Sequence, residues 1–182
     1  LFGIAGGISP KLKVNDVVIA TEVLYYEKAK EFQNNKFKRR GEDQLLDPRI
    51  VETIKEFEIK YGETPAFDYI NENGEHLKFR TFSGPIGSGE IVFASDESDT
   101  KEWMLNYNDK VLAVETEGYG IVQAYYEERM QKKAAPIFII RGISDTADSN
   151  KDDDYRESSA QNAATVMIKF LEILEVWLYY TL

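Results

Sequence analysis

Three acidic residues stand just beyond apolar runs, at positions where a folded chain could present them to a ligand. Glu115 and Glu117 follow the apolar residues 111–114 at a spacing of two, so an extended chain would project both carboxylates to the same side. Such a pair could bind hydroxyl groups or a cation; alternatively, Glu115 ends a strand and Glu117 stabilises the N-terminus of the next helix. Asp145 comes after the apolar residues 137–140, where a partly buried carboxyl could donate a proton to a substrate or cap the next turn.

Two glycine clusters, at residues 3–7 and 84–89, have neither the G-x-G-x-x-G spacing of a dinucleotide site nor that of a P-loop. Glycine at a strand end allows a ligand to approach the backbone, but it equally marks a bulge or a turn. His76 is the only histidine and the chain has no cysteine, which excludes a metal site built from several of these ligands. The acidic residues 148–154 depart from the EF-hand pattern, and we expect a solvated loop there. We therefore predict no metal ion and no cofactor.

The elements that must position these residues follow from runs of β-branched residues, helical spacing of apolar residues and turn signals. Asn73-Gly74 is a strong hairpin signal, and Pro48 suits the first turn of a helix. Strands are predicted at residues 1–5, 16–23, 66–70, 76–82, 111–114 and 135–140, and helices at 48–60, 98–106, 117–130 and 155–180. Strands that alternate with helices predict an α/β fold, a three-layer sandwich with a central mixed β-sheet flanked by helices.

Composition limits the classes of function. The 182 residues suit a single domain, and 43% of them are apolar, which is enough for a packed core. The net charge of −10 has the wrong sign for a protein whose main partner is nucleic acid or an anionic membrane. No run of about 18 uncharged apolar residues predicts a membrane span. The absence of cysteine fits a reducing compartment, so we expect a cytoplasmic protein with a small-molecule partner.

A basic cluster interrupts this acidic chain between residues 25 and 47. Lys36, Lys38, Arg39 and Arg40 precede Gly41 in a polar stretch that we interpret as a solvated insertion. If the insertion folds toward the ligand site, the cluster could contact an anionic group such as a phosphate tail.

Three motifs in order resemble the nucleoside phosphorylase/nucleosidase superfamily, with the greatest similarity to 5'-methylthioadenosine/S-adenosylhomocysteine nucleosidases. They are the glycine segment 3–7 with residues 13–18, then Val114-Glu115-Thr116-Glu117-Gly118, then Arg141-Gly142-Ile143-Ser144-Asp145. The resemblance runs from Leu1 to about Leu174. It implies a nucleoside phosphorylase-like α/β fold, a homodimer or higher homo-oligomer, and cleavage of the bond between a nucleobase and ribose. It also implies that the N-terminal segment of the family fold is not part of this sequence.

The resemblance assigns roles residue by residue. Asp145 matches the aspartate that protonates purine N7, and Glu117 matches the glutamate that holds the ribose hydroxyls. Thr116 stands where the family usually has methionine against the sugar. The further residues assigned to substrate binding are Glu115, Ser144, Ala5 and Gly6, together with Gly87 and Ser88 in the segment that resembles the wall of the base pocket.

One departure from the family bears on the type of reaction. Phosphorylases carry an arginine and a serine around the first glycine cluster that help to bind phosphate, and here these positions are Leu1 and Ile4. We therefore expect a hydrolase that releases adenine from an adenosine derivative, either a nucleoside or an adenine nucleotide. A phosphate-dependent phosphorylase and a non-catalytic nucleoside-sensing module are the alternatives.

Overall fold

The computed structural model describes residues 1–32, 36–70, 73–93, 98–130, 135–147 and 154–180. The strands are β1 Phe2–Gly7, β2 Val17–Tyr25, β3 Ala29–Phe32, β4 Lys36–Arg39, β5 Glu42–Leu45, β6 Ala66–Ile70, β7 His76–Ser88, β8 Ala113–Glu115 and β9 Ile140–Asp145. The helices are α1 Pro48–Tyr61, α2 Asp99–Tyr107, α3 Gly118–Met130 and α4 Arg156–Tyr180.

The described strands form a mixed sheet in the order β5-β2-β9-β1-β8-β7-β6, beside a small β3-β4 hairpin. β1 runs parallel to β9, and β7 runs parallel to β8, whereas β1 and β8 are antiparallel. The prediction of an α/β fold with a central mixed sheet is confirmed. β2 also pairs with β7 in parallel, so β2, β9, β1, β8 and β7 form a closed ring, which the sequence did not predict.

The main core lies where the helices cover this sheet. Residues Val17, Val18, Ile19 and Ala20 of β2 are almost completely buried, as expected for a strand with neighbours on both faces. α4 packs against β9, β1 and β2, and also against α1. The approach of α4 is closest at Gly142, where a Cβ atom would overlap the carbonyl oxygen of Ser159, so glycine is required at this position.

Two predicted boundaries are wrong in a way that matters for the site. The strand predicted at residues 135–140 is instead β9, Ile140–Asp145, whose parallel register places Phe2 opposite Ile140 and Gly6 opposite Asp145. The strand predicted at 111–114 is β8, which includes Glu115. In both cases the strand continues into polar residues, because those residues have buried partners that hydropathy does not reveal.

The insertion between residues 25 and 47 is more ordered than predicted, because β5 pairs with β2 at the sheet edge. The predicted acidic loop is outside the described residues except for Asp154, and the side chain of Lys36 is also outside them. None of the described helices combines the length and the apolar composition that a membrane span needs.

Candidate active site

A cavity of about 220 Å³ opens where β1, β8 and β9 end. Its lining residues come from these strand ends, from the chain after β7 and from the start of α4. They are Ile4, Ala5, Gly6, Ile91, Val92, Phe93, Val114, Glu115, Thr116, Glu117, Ser144, Asp145, Ala147 and Arg156. Seven of the nine site residues named from the sequence therefore lie around one space; Gly87 and Ser88 are the other two.

Glu115 is buried and holds the turn from β8 to α3. Its carboxylate accepts hydrogen bonds from the backbone N–H of Glu117 at 3.1 Å and of Gly118 at 2.9 and 3.0 Å. The guanidinium of Arg141 donates a further bond to it through Nη2. A Cβ atom at residue 118 would lie 2.6 Å from Oε1 of Glu115, so glycine is needed there. Glu115 thus ends the strand, as the second interpretation predicted, but the N-terminus of α3 is satisfied by Glu115 rather than by Glu117.

Glu117 differs from Glu115 because its side chain remains 58% exposed beside the cavity. Arg141 Nη2 donates to Glu117 Oε2 at 2.7 Å, and the Thr116 hydroxyl donates to Glu117 Oε1 at 2.8 Å. The buried Arg141 thereby places its single positive charge between two carboxylates that would otherwise repel each other. Glu117 is held in place and can still accept hydrogen bonds from a ligand.

Asp145 lies at the end of β9 and is fixed on both carboxylate oxygens. Oδ1 accepts a bond from the backbone N–H of Ala147 at 2.8 Å, and Oδ2 accepts one from the Ser144 hydroxyl at 3.0 Å. Gly6 pairs with Asp145 across the sheet, and a Cβ atom at Gly6 would lie 2.9 Å from Oδ1. The carboxyl group therefore has a defined orientation at the cavity, as a proton donor to a bound ligand needs.

An apolar wall made of Ile91, Val92 and Phe93 lines the same cavity as these polar groups. The wall is fixed by Tyr26, whose hydroxyl donates to the carbonyl oxygen of Ile91 at 2.8 Å, and by Glu27, whose Oε1 accepts the Ile91 N–H at 2.8 Å. Sequence reasoning missed this wall, and it also missed the role of Arg141. The available signals were an apolar triplet that follows a glycine-rich strand and an arginine inside an apolar run.

Gly87 and Ser88 are the two named site residues that the structure does not bring to the cavity. Ser88 is buried, and its Oγ accepts the backbone N–H of Tyr119 at 2.9 Å. Gly87 is close to Met104 and Val114, which leaves no room for a side chain. Neither residue lines the cavity, whereas Ile91, Val92 and Phe93 do, so the wall of a base pocket at Gly87 and Ser88 stays a prediction.

The basic insertion lies beside a different cavity. Arg39 lines this second space of about 510 Å³ together with Glu27, Ala29, Glu90 and Ile91, and Ile91 is shared with the first cavity. In the described part of the chain, no group of three or more histidine, cysteine, aspartate or glutamate side chains could hold a metal ion.

The fold agrees with the comparison to known proteins. The sequence model of the phosphorylase superfamily matches residues 1–175, so the chain belongs to that superfamily. Among curated proteins, it is 28% identical over 185 residues to the ATP nucleosidase Cap17 of Escherichia coli strain KTE188, covering 94% of this chain and 35% of that protein. It is 27% identical over 180 residues to the 5'-methylthioadenosine/S-adenosylhomocysteine nucleosidase of Desulfotalea psychrophila, covering 95% and 67%. The chain thus spans about a third of the length of the first of these relatives.

Solved structures of nucleosidases have the same fold. The Colwellia psychrerythraea 5'-methylthioadenosine/S-adenosylhomocysteine nucleosidase in complex with adenine matches with a TM-score of 0.68 and 22% identity, over 95% of this chain and 65% of that one. The Streptococcus pneumoniae enzyme with a transition-state inhibitor matches with a TM-score of 0.66 and 23% identity, over 95% and 68%. The family resemblance and the nucleoside phosphorylase-like fold predicted from the motifs are confirmed.

Proposed function

We propose that this chain carries a nucleosidase site that hydrolyses the N-glycosidic bond of an adenosine derivative and releases adenine. The observation that supports it most is the position of Asp145 and Glu117 around one cavity that also has an apolar wall, each carboxylate being held by its own hydrogen bonds. The curated relatives add support, because their names describe nucleosidases that act on adenine-containing compounds.

In the proposed reaction, the bond between ribose C1′ and purine N9 breaks, and its electron pair moves into the purine. Asp145 donates a proton to N7, so the base leaves as neutral adenine rather than as an anion. Glu117 accepts hydrogen bonds from the ribose hydroxyls, and its negative charge stabilises the positive charge that develops on the sugar. Water adds to C1′ and loses a proton to the solvent, and Asp145 takes up a proton from the solvent, which completes the hydrolysis and restores the acid.

Arg141 has a supporting role in this scheme. Because Arg141 binds Glu115 and Glu117 together, it fixes the orientation of the Glu117 carboxylate. That carboxylate is still accessible to the ribose hydroxyls. Thr116 donates its hydroxyl hydrogen to the same carboxylate, and its oxygen can still accept a hydrogen bond from the sugar.

Water is the proposed nucleophile rather than phosphate. Ile4 lines the cavity with an apolar side chain at the position where the phosphorylases have a phosphate-binding serine. Arg141 is buried and already bonded to two glutamates, so it does not offer a phosphate site of its own. These features favour a hydrolase over a phosphorylase.

The test is release of free adenine by the complete protein from adenosine, methylthioadenosine, S-adenosylhomocysteine, AMP and ATP, with and without inorganic phosphate. We expect release that does not need phosphate and that falls at least about 100-fold in Asp145→Asn, because the amide cannot protonate N7. Asp68→Asn is the matched control, since Asp68 is exposed on β6, far in sequence from the cavity residues, and only loosely paired with Lys78 at 3.8 Å.

Three results would contradict the proposal in different ways. Strict dependence on phosphate would indicate a phosphorylase. Equal activity of Asp145→Asn and the wild type would remove Asp145 as the acid. Binding of a nucleoside without any adenine release would indicate a sensing module.

A further inference from the structure

Of the cavity residues in the described part of the chain, Arg156 alone carries a positive charge. It is the first residue of α4, and its side chain is exposed on the rim of the cavity that contains Asp145 and Glu117. The proposed chemistry uses Asp145, Glu117 and Arg141, and it gives Arg156 no task.

The other groups around the cavity already account for most of an adenosine derivative. Asp145 and the apolar wall of Ile91, Val92 and Phe93 suit a purine, and Glu117 suits the ribose hydroxyls. The part of the substrate left over is the substituent on C5′. An uncharged substituent gains little from an arginine, whereas a phosphate matches the two parallel N–H groups of a guanidinium.

The charge around the cavity makes this arginine necessary for an anionic substrate. The chain has a net charge of −10, and three carboxylates line the cavity, so a phosphate would otherwise be repelled. A second positive charge lies close to the same rim, because Lys101 Nζ is 3.4 Å from the carbonyl oxygen of Ala147, itself a cavity residue.

We propose that Arg156 binds the 5′-phosphate of an adenine nucleotide and so makes this site prefer nucleotides to uncharged nucleosides. This inference rests on the proposed nucleosidase function and narrows its substrate class. The competing cation is Arg39 of the basic insertion. Its cavity lacks Asp145 and Glu117, the groups proposed to hold the purine and the ribose of the same substrate.

The experiment compares wild type, Arg156→Gln, Arg156→Lys and Arg39→Gln with AMP, ATP and adenosine as substrates. For Arg156→Gln, we expect kcat/KM to fall about 10- to 100-fold with AMP and ATP, mostly through KM, and to stay within about twofold with adenosine. Arg156→Lys retains the charge but not the paired N–H groups, so part of the nucleotide activity should return. Arg39→Gln, which removes the same charge, should leave all three substrates unchanged.

Several outcomes would overturn the assignment of Arg156. An equal loss with adenosine and AMP would mean that Arg156 acts on the fold or on Asp145 rather than on a phosphate. A nucleotide-specific loss in Arg39→Gln instead would assign the phosphate to the insertion. Unchanged kcat/KM with AMP and ATP in Arg156→Gln would show that Arg156 does not bind the phosphate.

The same variants separate this inference from the proposed function. If the wild type releases no adenine, the dissociation constants of AMP and adenosine are measured by calorimetry for wild type and Arg156→Gln. AMP binding that weakens at least tenfold in the variant, with adenosine binding unchanged, would keep the phosphate assignment while the nucleosidase proposal fails. Absence of AMP binding to the wild type would overturn both.

Discussion

At the level of single residues, Arg141 links two neighbouring glutamates that differ in their backbone contacts. It bonds to both, but Glu115 is also bonded to the backbone of Glu117 and Gly118, which leaves it saturated and buried. Glu117 has no backbone donor among the described contacts and stays 58% exposed at the cavity. The same chemical group therefore stabilises a turn at one position and remains available to a ligand two residues later.

Gly6→Ala tests how tightly Asp145 is positioned. The new Cβ atom would lie 2.9 Å from Asp145 Oδ1 and 2.9 Å from Ala147 Cβ, so the carboxyl or the chain after it must move. We expect kcat/KM for adenine release to fall about tenfold or more, since a shift of this size misplaces the acid. The free energy of unfolding should fall by about 1–3 kcal/mol.

Gly120→Ala is the matched control for this substitution. A Cβ atom at Gly120 would meet nothing within 4 Å, and alanine favours the helix, so stability should rise slightly and activity should not change. Wild-type kinetics in Gly6→Ala would show that Asp145 does not need its observed position.

Most of this site could be predicted from the sequence because its acidic residues stand at strand ends. Glu117 and Asp145 follow apolar runs, and the family-like motifs place them in order along the chain. Arg156 and the segment 91–93 could not be found in this way. Their place at the cavity depends on how α4 and the chain after β7 pack on the sheet, which no local pattern encodes.

At the level of elements, Asp47 joins α1 to α3. It caps α1 by accepting the N–H of Arg49 at 2.9 Å, and it also accepts bonds from the Arg49 guanidinium and from the Tyr125 hydroxyl of α3. Arg129 of α3 lies 3.6 Å from the same carboxylate. The hydrogen bonds from Arg49, followed by that from Tyr125, hold the pKa of Asp47 well below its ordinary value.

Asp47→Asn should therefore destabilise the protein in a pH-dependent way. Because the pKa of Asp47 is lower in the folded state, its contribution is fully present above the unfolded pKa of about 4 and is lost as the pH falls below it. We expect the variant to lose about 1–3 kcal/mol of unfolding free energy at pH 7, and the gap to wild type to narrow toward pH 3.

Urea unfolding of both proteins across this pH range measures the gap. Asp68→Asn serves again as control, because an exposed pair at 3.8 Å should contribute less than about 0.5 kcal/mol. A difference between Asp47→Asn and wild type that is constant from pH 7 to pH 3 would contradict the assigned role of the charge.

The element predictions succeeded where periodicity is long and failed where polar residues are buried. α1 has a proline in its first turn and a regular apolar face, and its predicted and observed limits differ by one residue. β9 was misplaced, because its Arg141, Ser144 and Asp145 are buried only through tertiary contacts. β5 was missed, because its sequence Glu-Asp-Gln-Leu has no strand pattern and forms only against β2.

At the level of the whole molecule, the family resemblance predicts a homodimer or a higher homo-oligomer. Light scattering coupled to size-exclusion chromatography should give at least twice the mass of one chain, and the 182 residues account for 20.9 kDa of that chain. The measurement should be repeated over a hundredfold range of concentration. A mass of one chain at every concentration would contradict this prediction.

The closed ring of β2, β9, β1, β8 and β7 also limits how a ligand can enter. Glu115 and Asp145 end strands of this ring. Separating them would therefore require breaking the hydrogen bonds between neighbouring strands of the ring. Amide hydrogens of β1 and β9 should accordingly exchange with deuterated water only on global unfolding. A ligand should therefore enter past the parts of the lining outside the strands, which are the segment 91–93, Thr116 with Glu117, and Ala147 with Arg156.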